Sequence, residues 1–137
     1  MKESELALLK ELLATPKKIV IIPHKNPDGD AMGSTLALYQ YLTKTGHSAN
    51  VVSPNDYPKF LKWLPFENTV VKYDLQNKQA VRLIKEAELI FTLDFNALSR
   101  VAEMAPALEK AKAKFIMIDH HQQPDDYAVV TYSDTSV

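Results

Sequence analysis

Two hydrophobic patterns alternate along the chain: short continuous runs of apolar residues, and longer segments in which apolar residues recur every three or four positions. Continuous runs are typical of strands buried on both faces of a parallel sheet, and the periodic segments are typical of amphipathic helices. Their alternation favours βαβ units, so we predict an α/β fold with a mostly parallel central sheet and helices on both faces. The predicted strands cover residues 18–22, 50–53, 70–73, 89–93, 115–118 and 128–132.

The predicted helices are bounded by residues that favour helix ends. The second helix begins with Asp30 as its N-cap and ends at Gly46, which leaves His47 exposed beyond the helix end. The fourth helix is expected to be interrupted near Pro106, because proline lacks a backbone N–H. The helical segments cover about residues 6–13, 31–45, 77–87 and part of 100–113.

A loop with at most one helical turn is predicted for residues 54–65. It carries the aromatic residues Tyr57, Phe60 and Trp63. Such rings can form a stacking surface for nucleobases. Packing into the core or into an interface is the favoured interpretation, because large aromatic side chains are mostly buried.

Length and charge restrict the kinds of function. With 137 residues the chain is long enough for one domain with its own core. The 16 basic and 17 acidic residues leave a net charge of −1, so a polyanionic substrate would have to be held by local groups or metal ions. No apolar run approaches the roughly 20 residues that span a bilayer, and the charged N-terminus does not resemble a signal peptide. We therefore expect a cytoplasmic protein without membrane association.

Three predicted strands are followed directly by carboxylate and imidazole side chains. In an open parallel sheet the carboxyl ends of the strands lie at one edge, where ligands bind. We therefore expect these side chains to converge. They are His24, Asp28 and Asp30 after the first of these strands, Asp94 after the second, and Asp119, His120 and His121 after the third.

The chemistry of these side chains indicates a metal site. The chain contains no cysteine, so imidazole and carboxylate are the available ligands, and such a set suits Mn²⁺, Mg²⁺ or Fe²⁺ without excluding Zn²⁺. Two divalent ions about 3.5–4 Å apart can activate a water and neutralise a phosphoryl group. Gly29 lets the backbone bend between Asp28 and Asp30, so that each carboxylate can serve a different ion. The two oxygens of Asp94 can bridge the ions.

Each feature also has an ordinary structural interpretation. Asp28 with Gly29 is a common turn, and Asp30 alone is a common helix cap. Asp94 can cap a helix, and the two adjacent histidines can belong to a solvated loop. Their joint occurrence at three strand ends of one short sheet favours the metal site.

The order and spacing of these residues resemble the motif series of the DHH phosphoesterase superfamily. Residues 27–34 are especially similar to the NrnA-like branch, whose members degrade very short RNAs and dephosphorylate 3′-phosphoadenosine 5′-phosphate (pAp). The resemblance covers nearly the whole chain, from about residue 17 to 137. It implies a metal-activated water as the nucleophile.

The resemblance also implies a role for each site residue. Asp119 would orient His120 from behind, and His121 would face the scissile phosphate, where it would stabilise charge or assist proton transfer. Lys25 and Arg100 are weaker candidates for a phosphate contact, since solvated surface charge is the favoured interpretation of each. The metal ligands would be His24 and Asp28 on one Mn²⁺, Asp30 and His120 on the second, and Asp94 on both.

Two further parts are implied beyond the residues of this chain. The family has a fourth metal-ligand aspartate, which would lie beyond Val137, and a C-terminal DHH-associated domain that grips the substrate. We therefore interpret residues 1–137 as the N-terminal part of a DHH catalytic domain that is incomplete at its C-terminus. Such a part need not be active on its own.

The expected function is hydrolysis of short oligoribonucleotides and pAp with two Mn²⁺ ions, or with Mg²⁺ or another divalent ion in their place. The expected partners are short RNA or a small nucleotide, and a homodimer is an expectation for the full-length protein. Hydrolysis of pyrophosphate, polyphosphate or a cyclic dinucleotide is the alternative within the superfamily. A non-catalytic metal- or nucleotide-binding module is the alternative outside it.

Overall fold

Six strands form one central sheet. The computed structural model describes residues 3–23, 29–55, 57, 59–93, 104–119 and 130–133. The strands are β1 (Lys18–Pro23), β2 (Ser48–Ser53), β3 (Val71–Lys72), β4 (Leu89–Leu93), β5 (Lys114–Asp119) and β6 (Val130–Ser133). Their order across the sheet is β3-β2-β1-β4-β5-β6, and the five neighbouring pairs are parallel. The predicted parallel α/β sheet is confirmed.

Helices connect the strands in the described part of the chain. Acidic residues lie in the first turn of the N-terminal helix and Lys10 lies in its last turn, which complements the helix dipole. None of the described helices combines the length and the apolar character needed to cross a bilayer. The helices are α1 (Glu3–Leu12), α2 (Gly29–Lys44), α3 (Asn77–Glu86) and α4 (Ala105–Glu109), with 3₁₀ turns at Lys59–Leu61 and Glu67–Thr69.

Each face of the sheet has its own hydrophobic core. On one face Ile19 and Ile21 of β1 pack in a cluster with side chains of α1 and α2. On the other face Val20 and Ile22 pack with side chains of α3 and with residues in and beside α4. Successive strand side chains point to opposite faces, and both faces are covered. This explains why the strand reads as a continuous apolar run in the sequence.

The strand order reverses beside β1. The chain runs from β1 outward to β2 and β3, and then returns to the other side of β1 for β4, β5 and β6. Ligands of open parallel sheets bind outside the carboxyl ends of the strands at such a reversal. The carboxyl ends of β1 and β4 therefore mark the expected ligand position.

One helix boundary differs from the prediction. Helix α2 begins at Gly29, so Asp30 lies in the first turn and is not the N-cap residue. Helix α4 has Pro106 in its first turn, where a missing N–H breaks no hydrogen bond. Residues 100–103 of the predicted fourth helix lie outside the described residues, so the predicted interruption near Pro106 stays a prediction. The predicted stop after α2 is confirmed, because Gly46 has φ 98°, a conformation that favours glycine.

His47 is buried, and the prediction that it is exposed was wrong. Its exposed fraction is 7%, and its Nδ1 accepts a hydrogen bond from the backbone N–H of Lys17 at 3.1 Å. The carbonyl of Lys17 in turn accepts the N–H of Ser48 at 3.0 Å. His47 therefore helps to join the amino ends of β1 and β2, on the edge of the sheet opposite to the predicted site.

Candidate metal centre

Three neighbouring strands end at the same level on the carboxyl edge of the sheet. Pro23 of β1 is the Cα partner of Leu93 in β4, and Leu93 is the Cα partner of Ile118 in β5. Pro23 and Leu93 are the last residues of their strands, and β5 continues one residue further, to Asp119. Three of the predicted ligand-bearing segments therefore leave adjacent strands at one edge.

Two of the predicted site residues lie in described elements of the fold. Asp30 is the second residue of α2, which starts at the carboxyl edge, and Asp119 is the last residue of β5. The other predicted site residues lie outside the described residues, so their roles stay predictions. They are His24, Lys25, Asp28, Asp94, Arg100, His120 and His121.

The connectivity of the chain relates these residues to the strand ends. In the sequence His24 directly follows Pro23, and Asp94 directly follows Leu93. Within the part of the chain that the structure describes, no group of three or more His, Asp or Glu residues is placed to hold a metal ion. The predicted donors are carboxylate oxygens and imidazole nitrogens, a set that fits Mn²⁺ or Mg²⁺.

The connection between β2 and β3 packs against the start of α2. A Cβ atom placed on Gly29 would lie 3.8 Å from Cδ2 of Leu61, which is 4% exposed. Gly29 separates the predicted ligands Asp28 and Asp30 in the sequence. Leu61 therefore lies beside the predicted metal loop, a contact between segments about thirty residues apart that no motif indicates.

Sequence reasoning also missed a charged cluster in the connection between β2 and β3. The Glu67 carboxylate accepts a hydrogen bond from the hydroxyl of Tyr57 at 2.9 Å and another from Nζ of Lys72 at 3.1 Å. Nζ of Lys62 lies 3.6 Å from the same oxygen and 4.4 Å from the centroid of the Tyr57 ring. Tyr57 and Glu67 are 6% and 9% exposed, so the cluster lies largely out of solvent.

The environment of Glu67 lowers its pKa below the ordinary value. Burial raises the pKa of this carboxyl group, but the hydrogen bonds from Tyr57 and Lys72 and the charges of Lys72 and Lys62 lower it by more. Glu67 therefore stays ionised at neutral pH. In the sequence it is an acidic residue in a polar loop, and only the fold brings its partners to it.

The fold and this edge define a class of protein: a doubly wound parallel α/β domain, in which ligands are expected at the strand reversal, here beside β1. A family model described as the DHH family, N-terminal domain, matches residues 18–137. The chain belongs to the DHH family of phosphoesterases, and the match is to the N-terminal domain of that family. The family assignment made from the sequence is confirmed.

Individual relatives agree with this assignment. Over 118 residues the chain is 33% identical to the bifunctional oligoribonuclease and PAP phosphatase NrnA of Thermus thermophilus, a match that covers 85% of this chain and 32% of the relative. An exopolyphosphatase-related protein from Bacteroides fragilis superposes with a TM-score of 0.95 at 39% identity, covering 99% of this chain and 40% of that chain. The chain thus spans about a third of NrnA and two fifths of the Bacteroides protein.

A more distant structure shares the fold. RecJ from Thermus thermophilus, in complex with Mn²⁺, superposes with a TM-score of 0.51 at 18% identity. The match covers 95% of this chain and 16% of RecJ. At this identity the likeness shows the fold alone.

Proposed function

We propose that this chain carries most of the metal site of a two-metal phosphoesterase that hydrolyses short oligoribonucleotides and pAp. One observation supports the proposal above the others: β1, β4 and β5 are adjacent, parallel and in register at their carboxyl ends. In the sequence these strands lead into His24, Asp94 and Asp119. Side chains from three distant parts of the chain thereby start from one edge.

The proposed ligand set uses oxygen and nitrogen donors from all three strand ends. Bound divalent ions would activate a water for attack on phosphorus and neutralise the charge of the phosphoryl group. The ions would be Mn²⁺ or, as an alternative, Mg²⁺. The ligands would be His24 and Asp28 for one ion, Asp30 and His120 for the other, and Asp94 for both.

Two further residues would act on the reacting groups or position them. Asp119 would accept a hydrogen bond from the imidazole of His120 and so orient the ring. His121 would face the phosphate and stabilise its charge or move a proton. Lys25 and Arg100 would supply local positive charge to the substrate, because the net charge of the chain, −1, attracts no anion.

The name of a relative supports the choice of substrate. NrnA, at 33% identity, is named as an oligoribonuclease and PAP phosphatase. The 39% identical Bacteroides structure is described as exopolyphosphatase-related, which favours pyrophosphate or polyphosphate as the second candidate substrate. A cyclic dinucleotide and a non-catalytic nucleotide-binding role are the remaining alternatives.

A turnover assay separates these candidates. The chain is incubated with Mn²⁺ and a ribodinucleotide, pAp, pyrophosphate or a cyclic dinucleotide, and the released nucleotide or phosphate is measured. We expect nucleoside monophosphate from the dinucleotide, and a loss of more than about 100-fold in Asp94→Asn, because a ligand to both ions contributes several kcal/mol. Glu109→Gln, which changes an exposed carboxylate of α4, is the matched control and should keep full activity.

Three results would redirect the proposal. Turnover of pyrophosphate without turnover of the dinucleotide would favour the second candidate. Measurable turnover by the unsubstituted chain that Asp94→Asn retains in full would exclude the proposed metal site. Nucleotide binding without turnover, in this chain and in any longer form of the protein, would favour a binding module.

A further inference from the structure

Trp63 is the most exposed large apolar side chain in the part of the chain that the structure describes. Its exposed fraction is 76%, whereas Tyr57 in the same connection is 6% exposed. The prediction was that these aromatic residues pack into the core or into an interface. It is confirmed for Tyr57, which is buried in the core, whereas Trp63 does not pack into the core. A tryptophan left in solvent keeps a large flat ring available for a ligand.

The connection that carries Trp63 begins and ends at the edge of the predicted metal site. Strand β3 has two residues, and they pair with the last two residues of β2, Val52 with Val71 and Ser53 with Lys72. Residues 54–70 therefore leave the carboxyl end of β2 and return to it. Loops at this edge of open parallel sheets form the walls of ligand sites.

The backbone at Trp63 is held in place by its neighbours on both sides. Before it, Leu61 is buried in the core, and the N–H of Lys62 donates to the carbonyl of Lys59 at 2.9 Å. After it, Leu64 packs against the same core and its carbonyl accepts the N–H of Glu67 at 3.1 Å. The charged cluster around Glu67 holds the end of the segment. A ring on an ordered backbone loses little conformational entropy when it binds a ligand.

The same segment contacts the predicted metal loop. Leu61 lies against Gly29, the residue between Asp28 and Asp30. Trp63 is two residues further along, so its Cα lies at most about 7 Å from that of Leu61. The backbone of Trp63 therefore lies near the start of α2, on the side of the sheet where a phosphate at the strand ends would be bound.

We propose that Trp63 is a stacking residue for a nucleobase of the substrate. This inference rests on the proposed function and adds a base-binding subsite to it, formed by the connection between β2 and β3. Stacking accepts any base, because every base has a π-face, so the subsite would bind nucleotides without sequence preference. It would favour nucleotides over pyrophosphate and polyphosphate, which have no base.

The fluorescence of Trp63 provides the first test, because the chain contains one tryptophan. A non-hydrolysable dinucleotide and its abasic analogue are each added to the chain in Mg²⁺, and binding of both is measured in parallel by calorimetry. We expect saturable quenching of the indole emission by the dinucleotide. Bound abasic analogue should leave the emission unchanged, because it has no ring to stack.

Variants of exposed aromatic residues provide the second test. Trp63→Ala should weaken binding of the dinucleotide about 5- to 150-fold, the equivalent of the ~1–3 kcal/mol that alanine substitution removes per stacked base. Its affinity for the abasic analogue should not change, and Trp63→Phe should recover most of the loss. Tyr41→Ala is the matched control: Tyr41 is 56% exposed and lies about 18 Å along α2 from Gly29, so its loss should have no effect.

Failure of this inference can be told apart from failure of the proposed function. If the chain hydrolyses dinucleotides, but nucleotides leave the emission unchanged and Trp63→Ala binds normally, the stacking role is wrong and the phosphoesterase proposal stands. If nucleotides quench Trp63 without turnover, in this chain and in any longer form of the protein, the subsite stands and the hydrolase proposal fails. A shift in emission that depends on protein concentration, with no response to nucleotide, would show that Trp63 contacts a second copy of the chain and would overturn the inference. If no nucleotide binds, both are overturned.

Discussion

Pro23 and Leu93, which lie seventy residues apart in the sequence, are paired at the carboxyl ends of β1 and β4. Leu93 is 6% exposed, and both strands are buried by helices of the two faces. The packed sheet, and not the loops that follow, thus fixes the positions of the two strand ends relative to each other. A metal site that starts from such ends has a rigid base, which the mutual placement of its ligands requires.

The proposed metal site should stabilise the folded chain when metal binds. A ligand that binds only the folded state, present at 100 times its dissociation constant, adds about 2.7 kcal/mol to the free energy of unfolding. For a domain of this size we expect Mn²⁺ to raise the Tm by about 5–10 °C in a thermal melt. Asp94→Asn should lose most of this increase.

The control for this prediction is again Glu109→Gln, whose Tm should rise with Mn²⁺ as much as that of the unsubstituted chain. An equal rise in Asp94→Asn would mean that the stabilising ion binds elsewhere. Because the readout is stability, the experiment tests the metal ligands even if the chain has no turnover.

The carboxylate of Glu67 should make the stability of the fold depend on pH in the acidic range. Its pKa in the folded chain is below the ordinary value, so the unfolded chain takes up a proton at a higher pH than the folded chain does. The stabilisation is complete above the unfolded glutamate pKa of about 4.3 and is lost as the pH falls through the lower folded pKa. Urea unfolding at several pH values measures this loss.

Glu67→Gln should remove that part of the acid dependence. At pH 7 we expect the free energy of unfolding to fall by about 1–3 kcal/mol, because Lys72 and Tyr57 lose a charged acceptor. Glu109→Gln changes an exposed carboxylate and should stay within about 0.5 kcal/mol of the unsubstituted chain. If the free energy of unfolding of Glu67→Gln falls with pH below pH 4 as steeply as that of the parent chain, the cluster does not contribute as described.

Phe66 has a left-handed backbone conformation, with φ 65° and ψ 10°. This conformation costs a residue with a Cβ roughly 1–2 kcal/mol and costs glycine little. Phe66→Gly should therefore be more stable than Phe66→Ala by about 1 kcal/mol. At most sites the alanine variant is the more stable of the two, because glycine gains more conformational entropy on unfolding.

The comparison of these two variants is controlled internally, since both remove the ring that contacts Tyr39 at 5.8 Å between centroids. Chemical denaturation of the two proteins under identical conditions gives the difference directly. A Phe66→Ala variant as stable as Phe66→Gly, or more stable, would show that the backbone at this position relaxes.

Much of the fold could be predicted because its signals are local. The run of Ile19, Val20, Ile21 and Ile22 has no polar residue, which predicted a strand covered on both faces. The prediction is confirmed, because all four side chains are buried. Helix α3 and strand β4 lie within a residue of the predicted bounds. The prediction for Asp30 placed the start of α2 two residues too late, because acidic side chains are favoured both at the N-cap and in the first turn.

Burial of single polar and aromatic residues could not be predicted in the same way. His47 follows helix α2 and Trp63 follows the 3₁₀ turn Lys59–Leu61, yet His47 is 7% exposed and Trp63 is 76% exposed. The buried imidazole of His47 accepts a hydrogen bond from the backbone N–H of Lys17, thirty residues earlier in the chain. Such long-range partners leave no periodic pattern in the sequence.

The amino-acid sequence alone determined the class of this protein and the chemistry available to it: alternating strands and helices, ligands limited to carboxylate and imidazole, and the motif series of the DHH family. Only the tertiary structure decided that β1, β4 and β5 are neighbours with level ends, that Leu61 lies against Gly29, and that Glu67 is surrounded by Tyr57, Lys62 and Lys72. The physical reason is the distance along the sequence over which the deciding interactions act. Secondary structure follows from hydrophobic periodicity over a few residues, whereas the order of strands and the partners of a buried charge depend on packing between segments that are distant in the chain.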